Sequence, residues 1–314
     1  MDIVELIFGL ALVLVGANYL TDGAAIIAKR LKISEFIVAL TIVAIGTSAP
    51  EMVVSILSAI EGNTAISIGN VVGSNIFNVY VVLGICALIK PVEFSKRNIS
   101  RDIPIGIVAS VVLVAVTCGG EISRSSGVVM LALYVGSILY SIYSSRGVAV
   151  QSEEPLAQES STVKNSIWLA IVMVAGGLAA LVFGGDMFLG AAIRVATKLG
   201  VAQNVIAITL VAGGTSLPEL AASLVSLAKG KKDIALGNIV GSNIANILLV
   251  LGASAAITPL QLGSITMVDI AVAAVGMALL WLSSFTNKRY KLDRAEGVIF
   301  LVIFGIYIWM LVRG

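Results

Sequence analysis

Two glutamates lie in the middle of long apolar stretches of this sequence. Glu51 follows Ile45 and precedes Met52, and Glu219 occupies the same kind of stretch further along the chain. A carboxylate at the centre of a bilayer costs at least ~2.5 kcal/mol, so each must face a cavity or a partner. Neither stretch contains Lys, Arg or His. The remaining partners that could stabilise each carboxylate are a bound cation, a proton or water. The alternative to an ion-binding role is that both glutamates are protonated and purely structural.

A proline precedes each glutamate, as Pro50 and Pro218. Proline has no amide hydrogen and disrupts the hydrogen bond to the residue four positions back, here Gly46 and Gly214. We therefore predict that each helix breaks at that glycine and frees carbonyl oxygens near Ala44 and Ala212. In a membrane such carbonyls must be satisfied internally or by an ion. A simple proline kink is the alternative for either stretch taken alone.

Hydroxyl and amide side chains accompany the glutamates at helical spacing. Thr47 lies four residues before Glu51 and shares its helical face. This oxygen-rich set suits Ca²⁺ or Na⁺ better than softer metals. Packing within or between helices remains an alternative for the serines and threonines. The polar candidates are Thr47, Ser55, Ser58, Ser74, Asn78, Thr215, Ser223, Ser226, Ser242 and Asn246.

The composition indicates a membrane protein. Of 314 residues, 58% are hydrophobic and only 12% are charged, and the mean hydropathy is +1.05. No histidine is present, and Cys86 and Cys118 stand alone in apolar surroundings, so catalytic dyads with histidine and soft-metal sites are not expected. The stretch from Ile3 to Leu20 resembles a first span and not a cleaved signal. Ten spans are predicted, at about 3–24, 36–60, 64–89, 103–119, 126–144, 166–192, 204–228, 232–257, 265–285 and 294–312.

Basic residues are distributed unevenly among the connections between these spans. The odd-numbered connections hold 16 Lys and Arg, and the even-numbered connections with the C-terminus hold 4. The positive-inside rule then places the odd connections in the cytoplasm and both termini outside, in a cell (inner) membrane. The acidic, proline-containing stretch 145–163 is predicted to be a cytoplasmic linker.

The sequence contains an internal repeat. When the chain is shifted by 168 residues, positions 16–91 fall on 184–259 without a gap and 31 of the 76 pairs are identical. Because each copy has five predicted spans, an odd number, the second copy should enter the membrane in the opposite orientation. Inverted repeats are a transporter architecture. We predict an all-α membrane protein of ten transmembrane helices in two inverted five-helix repeats, 1–144 and 164–314, with helices 2 and 7 broken.

The duplicated segments resemble the cation/calcium antiporter superfamily, in particular its prokaryotic-type Na⁺/Ca²⁺ exchangers. The motifs that carry the resemblance are GTSxPE at 46–51 and 214–219, and GNxxGSNIxN at 69–78 and 237–246. The resemblance implies that Glu51 and Glu219 are the central ligands of Ca²⁺ or Na⁺. It implies further oxygen ligands from Thr47, Ser48, Thr215, Ser216, Ser74, Asn78, Ser242 and Asn246, and from the backbone at Ala44 and Ala212.

The same resemblance implies a secondary antiporter that exchanges several Na⁺ for one Ca²⁺ by alternating access, electrogenically. Some relatives, notably K⁺-dependent ones, carry Asp where Asn246 stands, so K⁺ independence is expected. The H⁺/Ca²⁺ branch has a glutamate near the positions of Val72 and Val240, which favours Na⁺ coupling here. An H⁺/Ca²⁺ antiporter remains the alternative.

Other classes of protein fit less well. A cation channel would want buried carboxylates but has no need of inverted halves with matched broken helices. An intramembrane aspartyl enzyme would need two buried aspartates, and only Asp186 lies well inside a predicted span. We expect no enzymatic activity, cofactor or nucleic-acid partner, and a monomer in the lipid bilayer whose only small ligands are Ca²⁺ and Na⁺. The role of Asp186 is left open.

Overall fold

The computed structural model describes residues 2–145, 166–200, 212–286 and 290–313. Helices make up most of this part of the chain, and its strands are only two residues long. The α-helices, numbered in chain order, are α1 (Asp2–Leu31), α2 (Glu35–Val38), α3 (Ala44–Thr47), α4 (Ala49–Ile60), α5 (Thr64–Ile76), α6 (Leu83–Ile89), α7 (Ile103–Thr117), α8 (Arg124–Ser145), α9 (Ile167–Lys198), α10 (Ala212–Gly214), α11 (Leu217–Ala228), α12 (Lys232–Ile244), α13 (Gly252–Ile257), α14 (Met267–Ser283) and α15 (Arg294–Arg313).

In the described part of the chain, four π-helical segments join or extend these helices: Ala39–Val43, Phe77–Val82, Asn98–Asp102 and Ala245–Leu251. The second and the fourth begin 168 residues apart, at the same position of the sequence repeat. Each continues the helix that carries a GNxxGSNIxN motif, and π-helical turns inside α-helices occur frequently at functional sites.

Several helical runs are long and apolar enough to cross a bilayer, so the chain is a multi-pass membrane protein. Within the described ranges there are seven, and an eighth consists of Glu35–Thr47 and Ala49–Ile60, bent by 49°. The shorter apolar helices α11 and α14 lie where the seventh and ninth spans are predicted. The seven are Asp2–Leu31, Thr64–Ile89, Asn98–Thr117, Arg124–Ser144, Ile167–Lys198, Lys232–Ile257 and Arg294–Arg313.

Two predicted boundaries were wrong. Helices α1 and α9 run beyond the predicted spans 3–24 and 166–192, to Leu31 and Lys198. Hydropathy detects only the apolar part of a helix, whereas the backbone hydrogen bonds continue into its polar last turns. The predicted linker 145–163 lies outside the described residues except for Ser145, and so does the first part of the predicted span 204–228.

The break in the first proline-containing span lies later than predicted. The helix ends at Thr47 and resumes at Ala49, and Ser48 between them has φ −82° and ψ 10°. Pro50 occupies the first turn of α4, where no amide hydrogen is needed, so the chain breaks just before it and not at Gly46. In the second span α10 ends at Gly214, and α11 begins at Leu217 with Pro218 in its first turn.

The prediction that the Ala44 carbonyl oxygen is free of hydrogen bonds was wrong. It accepts a hydrogen bond from the Ser48 amide at 3.0 Å and another from Thr47 Oγ1 at 3.3 Å. The reason is that the hydrogen bond lost to Pro50 belongs to the residue four positions before it, so the helical bond to Ala44 is retained. Ala212 is the first residue of α10.

The long helices α1 and α9 pack against each other through glycine. A Cβ atom on Gly16 would lie 2.7 Å from the Gly177 carbonyl oxygen, and one on Gly184 would lie 2.9 Å from the Gly9 carbonyl oxygen. Small residues at such positions let two membrane helices approach until their backbones touch. At one end of the pair Arg194 bonds to Asp2 at 3.1 Å.

Two short antiparallel ribbons connect distant parts of the sequence. Strand β1 (Val92–Glu93) pairs with β4 (Lys291–Leu292), and β2 (Glu121–Ile122) pairs with β3 (Leu260–Gln261). Glu93 in β1 also binds two ammonium groups, Lys232 at 2.6 Å and Lys291 at 2.8 Å. Hydrogen bonds from Lys232, which has the larger effect, and from Lys291 lower the pKa of Glu93 from its ordinary 4.5 to about 2.

The helical runs that carry the GNxxGSNIxN motifs form the interior. Within an 18-residue apolar stretch of each run, the share of buried residues is 94% for Lys232–Ile257 and 72% for Thr64–Ile89, against 22% for Arg294–Arg313. Their apolar side chains, with those of α7 and α14, form the main hydrophobic core. A second core joins α1 to α9 and α11. Polar residues within the two interior runs are therefore enclosed by protein.

Candidate cation site

The two glutamates predicted from the sequence lie in matching positions. Glu51 is in the first turn of α4 and Glu219 is in the first turn of α11, each directly after a proline. Both side chains have no exposed surface. Because each helix restarts just before its glutamate, the carboxylates lie near helix N-termini, where the peptide dipoles stabilise negative charge.

Serines at the helix breaks connect the two copies of the repeat. Ser48 Oγ donates to Glu219 Oε1 at 3.0 Å, and Ser216 Oγ donates to Glu51 Oε1 at 3.3 Å. Each break residue therefore contacts the carboxylate of the other copy. This reciprocal pair brings the segments around residues 48–51 and 216–219 into one site.

Further hydroxyl groups surround the carboxylates. Ser74 Oγ on α5 donates to Glu51 Oε1 at 3.3 Å. Thr47 Oγ1 lies 3.4 Å from Ser242 Oγ on α12, so the hydroxyl groups of the two copies also meet directly. Thr47, Ser74 and Ser242 are buried, whereas Thr215 is half-buried.

Two asparagines absent from the sequence-based site hold the glutamate helices in place. Asn70 Nδ2 donates to the Glu51 carbonyl oxygen at 3.1 Å and to Ser55 Oγ at 2.9 Å. Asn238 Nδ2 makes the matching bonds in the other copy, to the Glu219 carbonyl oxygen at 3.3 Å and to Ser223 Oγ at 3.0 Å. The signal was in the sequence, because both belong to the Gly-Asn pairs of the repeated motif.

The two copies differ around these asparagines. Asn238 is fully buried, and its Oδ1 also accepts a hydrogen bond from Thr47 Oγ1 at 3.1 Å. Asn70 is only half-buried. The carboxyamide of the second copy therefore has more of its hydrogen-bonding capacity satisfied by the protein.

Several buried polar atoms of the two glutamates and of the predicted ligands Asn78 and Asn246 have no hydrogen-bond partner among the described residues. They are Glu51 Oε2, Glu219 Oε2 and both amide atoms of Asn78 and of Asn246. Buried polar atoms without partners are rare in folded proteins and call for an explanation such as a bound ion or water. Asn78 and Asn246 lie in the π-helical segments that continue α5 and α12. The site thus offers carboxylate, hydroxyl and amide oxygens, the donor set preferred by Ca²⁺.

Comparison with known proteins agrees with this donor set. The family model described as sodium/calcium exchanger protein matches residues 2–143 and 169–313. The chain belongs to this family. A putative antiporter, CaxA of Alkalimonas amylolytica, is 36% identical over 314 residues, which cover 96% of each chain. The sodium/calcium exchanger MaX1 of Methanosarcina acetivorans is 30% identical, with 98% of this chain and 97% of the relative covered.

The fold also matches a solved exchanger structure. A structure of the sodium–calcium exchanger NCX_Mj, soaked with zero Na⁺ and Ca²⁺, superposes with a TM-score of 0.85 at 30% sequence identity. The match covers 98% of this chain and 97% of the other. The predicted membership of the cation/calcium antiporters is confirmed, and with it the expectation of a membrane protein that exchanges a cation for Ca²⁺.

The remaining sequence-based candidates of this exchanger lie as follows. Ser55 and Ser223 bind the asparagines Asn70 and Asn238 and not the carboxylates. Ser226 Oγ lies 2.9 Å from Thr21 Oγ1 of α1. Asp186 lies on α9 with its side chain exposed, so it does not belong to the enclosed site.

Proposed function

We propose that this exchanger is a secondary antiporter that moves Ca²⁺ against Na⁺ through the site between Glu51 and Glu219. The observation that supports it best is the reciprocal bonding of Ser48 to Glu219 and of Ser216 to Glu51. Two carboxylates balance the charge of one Ca²⁺, and the surrounding oxygens can supply the roughly 6–8 ligands that this ion takes. The proposed ligands are Glu51, Glu219, Thr47, Ser48, Thr215, Ser216, Ser74, Asn78, Ser242, Asn246 and the backbone at Ala212.

We further propose that transport proceeds by alternating access between two inverted halves, 1–144 and 164–314, of five spans each. Support comes from hydrogen bonds that recur 168 residues apart, such as Asn70 to Glu51 and Asn238 to Glu219. Two pseudo-symmetric halves around a central site can exchange their conformations and so open the site to either side. A channel with a continuous pore would not require hydrogen bonds that recur in two matching halves.

Sodium is the favoured coupling ion, and potassium is not required. Positions near which H⁺-coupled relatives carry a glutamate hold the buried valines Val72 and Val240. Both amide positions of the site, Asn78 and Asn246, are uncharged, so the site has no third negative charge for a K⁺ ion. Exchange of more than two Na⁺ for one Ca²⁺ moves net charge, so transport with this stoichiometry is electrogenic.

Flux measurements in proteoliposomes test the proposal. Purified protein is reconstituted and ⁴⁵Ca²⁺ uptake is followed with an outward Na⁺ gradient, with only a pH gradient, or with only a K⁺ gradient. Uptake should require Na⁺, saturate, and change rate when a valinomycin-set potential is imposed. Uptake driven by the pH gradient alone would instead establish H⁺/Ca²⁺ exchange, and non-saturating flux without trans-stimulation would indicate a channel.

We propose an orientation in the inner membrane with both termini outside and the linker 145–163 in the cytoplasm, and a monomeric protein. Cys118 gives a direct test, because it is exposed and lies at the end of α7, next to the fourth connection, which is predicted to face outward. A membrane-impermeant maleimide should label it in intact cells. The buried Cys86 provides the internal control for labelling of unfolded protein. Labelling of Cys118 only after cell lysis would reverse the orientation.

A further inference from the structure

Helices α7 and α8 leave a groove of about 450 Å³ between them, open along one side. Its floor is Leu248, from the π-helical segment Ala245–Leu251. From Pro104 to Val112 it follows α7 for about 12 Å at the usual helical rise. The remaining lining side chains are mostly apolar or small: Ile105, Val108, Ala109, Ala132, Leu133 and Gly136.

One end of the groove is polar. Ser100, Arg101, Ser137 and Tyr140 line it there. The Arg101 guanidinium is held in place by Asp102 Oδ1 at 2.6 Å and by the Ser141 carbonyl oxygen at 3.3 Å. The groove is therefore amphipathic along its length, with an apolar channel that ends at the buried ion pair of Arg101 and Asp102.

Additional positive charge lies next to this end. Lys96 is exposed and Arg97 is half-buried, and both directly precede the π-helical segment that contains Arg101. The Ser95 amide donates a hydrogen bond to Asn98 Oδ1 at 2.8 Å, and this bond fixes the turn that contains Lys96 and Arg97. Basic pockets between transmembrane helices bind anionic lipid headgroups.

We propose that this groove binds one acyl chain of an anionic phospholipid, with the headgroup at the Lys96–Arg101 end. The mostly apolar lining favours a hydrocarbon chain over a polar small molecule. Val108 and Leu133 open toward the bilayer, so an acyl chain can enter sideways. A zwitterionic phospholipid would also fill the channel, but its own ammonium group would offset part of the attraction of its phosphate to the basic end.

The position of the groove connects this lipid to the ion site. Leu248 lies two residues after Asn246 in the same π-helical segment. A lipid chain that packs on Leu248 supports the segment that carries one of the candidate amide ligands. We therefore expect the bound lipid to stabilise the protein, independently of which ions are exchanged.

Substitution of Gly136 provides the test. Apart from the nearby backbone of its own helix, no described atom lies within 4 Å of a Cβ added at Gly136 or at Gly305. Gly136→Leu fills the groove, whereas Gly305→Leu adds the same side chain to an exposed position of α15 and serves as the control. Native mass spectrometry then measures the dioleoylphosphatidylglycerol and dioleoylphosphatidylcholine retained from mixed micelles containing equal amounts of each.

Wild type and Gly305→Leu should retain phosphatidylglycerol in preference to phosphatidylcholine, and Gly136→Leu should lose this retention while keeping its Ca²⁺-dependent thermal shift. In a second arm, Lys96→Gln and Arg97→Gln should each lower the preference by roughly fivefold without removing lipid altogether. Equal retention by Gly136→Leu and wild type would overturn the site. An unchanged lipid preference in both glutamine variants would overturn the placement of the headgroup.

Discussion

Ser48 at the break of the first proline-containing span donates a hydrogen bond to Glu219 in the second copy of the repeat, at 3.0 Å. Ser216 returns the same bond to Glu51 at 3.3 Å. The two bonds make each carboxylate dependent on a residue some 170 positions away in the sequence. The site therefore exists only when both copies are packed together.

Removal of either carboxylate charge should abolish Ca²⁺ transport. Glu51→Gln and Glu219→Gln keep the size of the side chain but leave one negative charge for a divalent ion. We expect no Na⁺-dependent ⁴⁵Ca²⁺ uptake from either variant, with normal insertion and monodisperse elution in detergent. Glu61→Gln, on an exposed connection, is the matched control and should transport normally. Wild-type exchange by a site variant would falsify the assignment.

Loss of either reciprocal serine should weaken Ca²⁺ binding. A hydrogen bond to a charged group contributes about 1.5–3 kcal/mol, so Ser48→Ala and Ser216→Ala should each raise the KM for Ca²⁺ by roughly tenfold or more. The control is Ser110→Ala, because among the described residues that buried hydroxyl bonds only to its own helix, at the Gly106 carbonyl. If the Ser110 variant lost as much affinity, the effect would not be specific to the site.

The two Gly-Asn asparagines should differ in importance. Asn238→Ala removes bonds to Glu219, Ser223 and Thr47 inside the protein, whereas the half-buried Asn70 can be replaced in part by water. Leaving a buried group unsatisfied costs about 1–3 kcal/mol. We expect a larger loss of thermal stability and of kcat for Asn238→Ala than for Asn70→Ala. Equal losses would contradict the observed asymmetry.

Adjacent glycines of α9 should respond oppositely to a methyl group. A Cβ on Gly177 would lie 2.7 Å from the Gly16 carbonyl oxygen, whereas none of the described atoms lies within 4 Å of one on Gly176. Gly177→Ala should destabilise the protein by about 1–3 kcal/mol because helices α1 and α9 must separate. Gly176→Ala should be neutral or slightly stabilising, since alanine favours helix. Thermal unfolding of both variants in detergent measures the difference.

Acid should weaken the ion pairs that Glu93 in strand β1 forms with Lys232 and Lys291. Lys232 and Lys291 lower the pKa of Glu93 to about 2 in the folded protein, below its ordinary 4.5. The stabilisation is therefore complete above about pH 4.5 and is lost as the pH falls toward 2. Glu93→Gln should lower the melting temperature at pH 7, and the gap to wild type should narrow below pH 4. A gap that is independent of pH would refute an electrostatic origin.

Much of the site could be predicted from sequence, because burial of a carboxylate in a membrane is so costly. Glu51 and Glu219 stand out by their apolar surroundings, and the 168-residue repeat pairs them. The π-helical segments around Asn78 and Asn246 were not predicted, since their apolar pattern is also compatible with a regular α-helix. The break at Ser48 was placed two residues too early, because the first turn of a new helix accepts proline.

The sequence by itself determined the membrane environment, the duplication and the chemical type of the site. These follow from residue type and spacing, which hydropathy and the 168-residue match record directly. Only the tertiary structure decided which copy supplies each hydrogen bond, as in Ser48 with Glu219, and that Asn70 and Asn238 hold the glutamate helices. It also placed Asp186 on an exposed face of α9. Contacts between residues far apart in the sequence depend on how helices pack against one another. The local pattern of residues along the chain does not specify that packing.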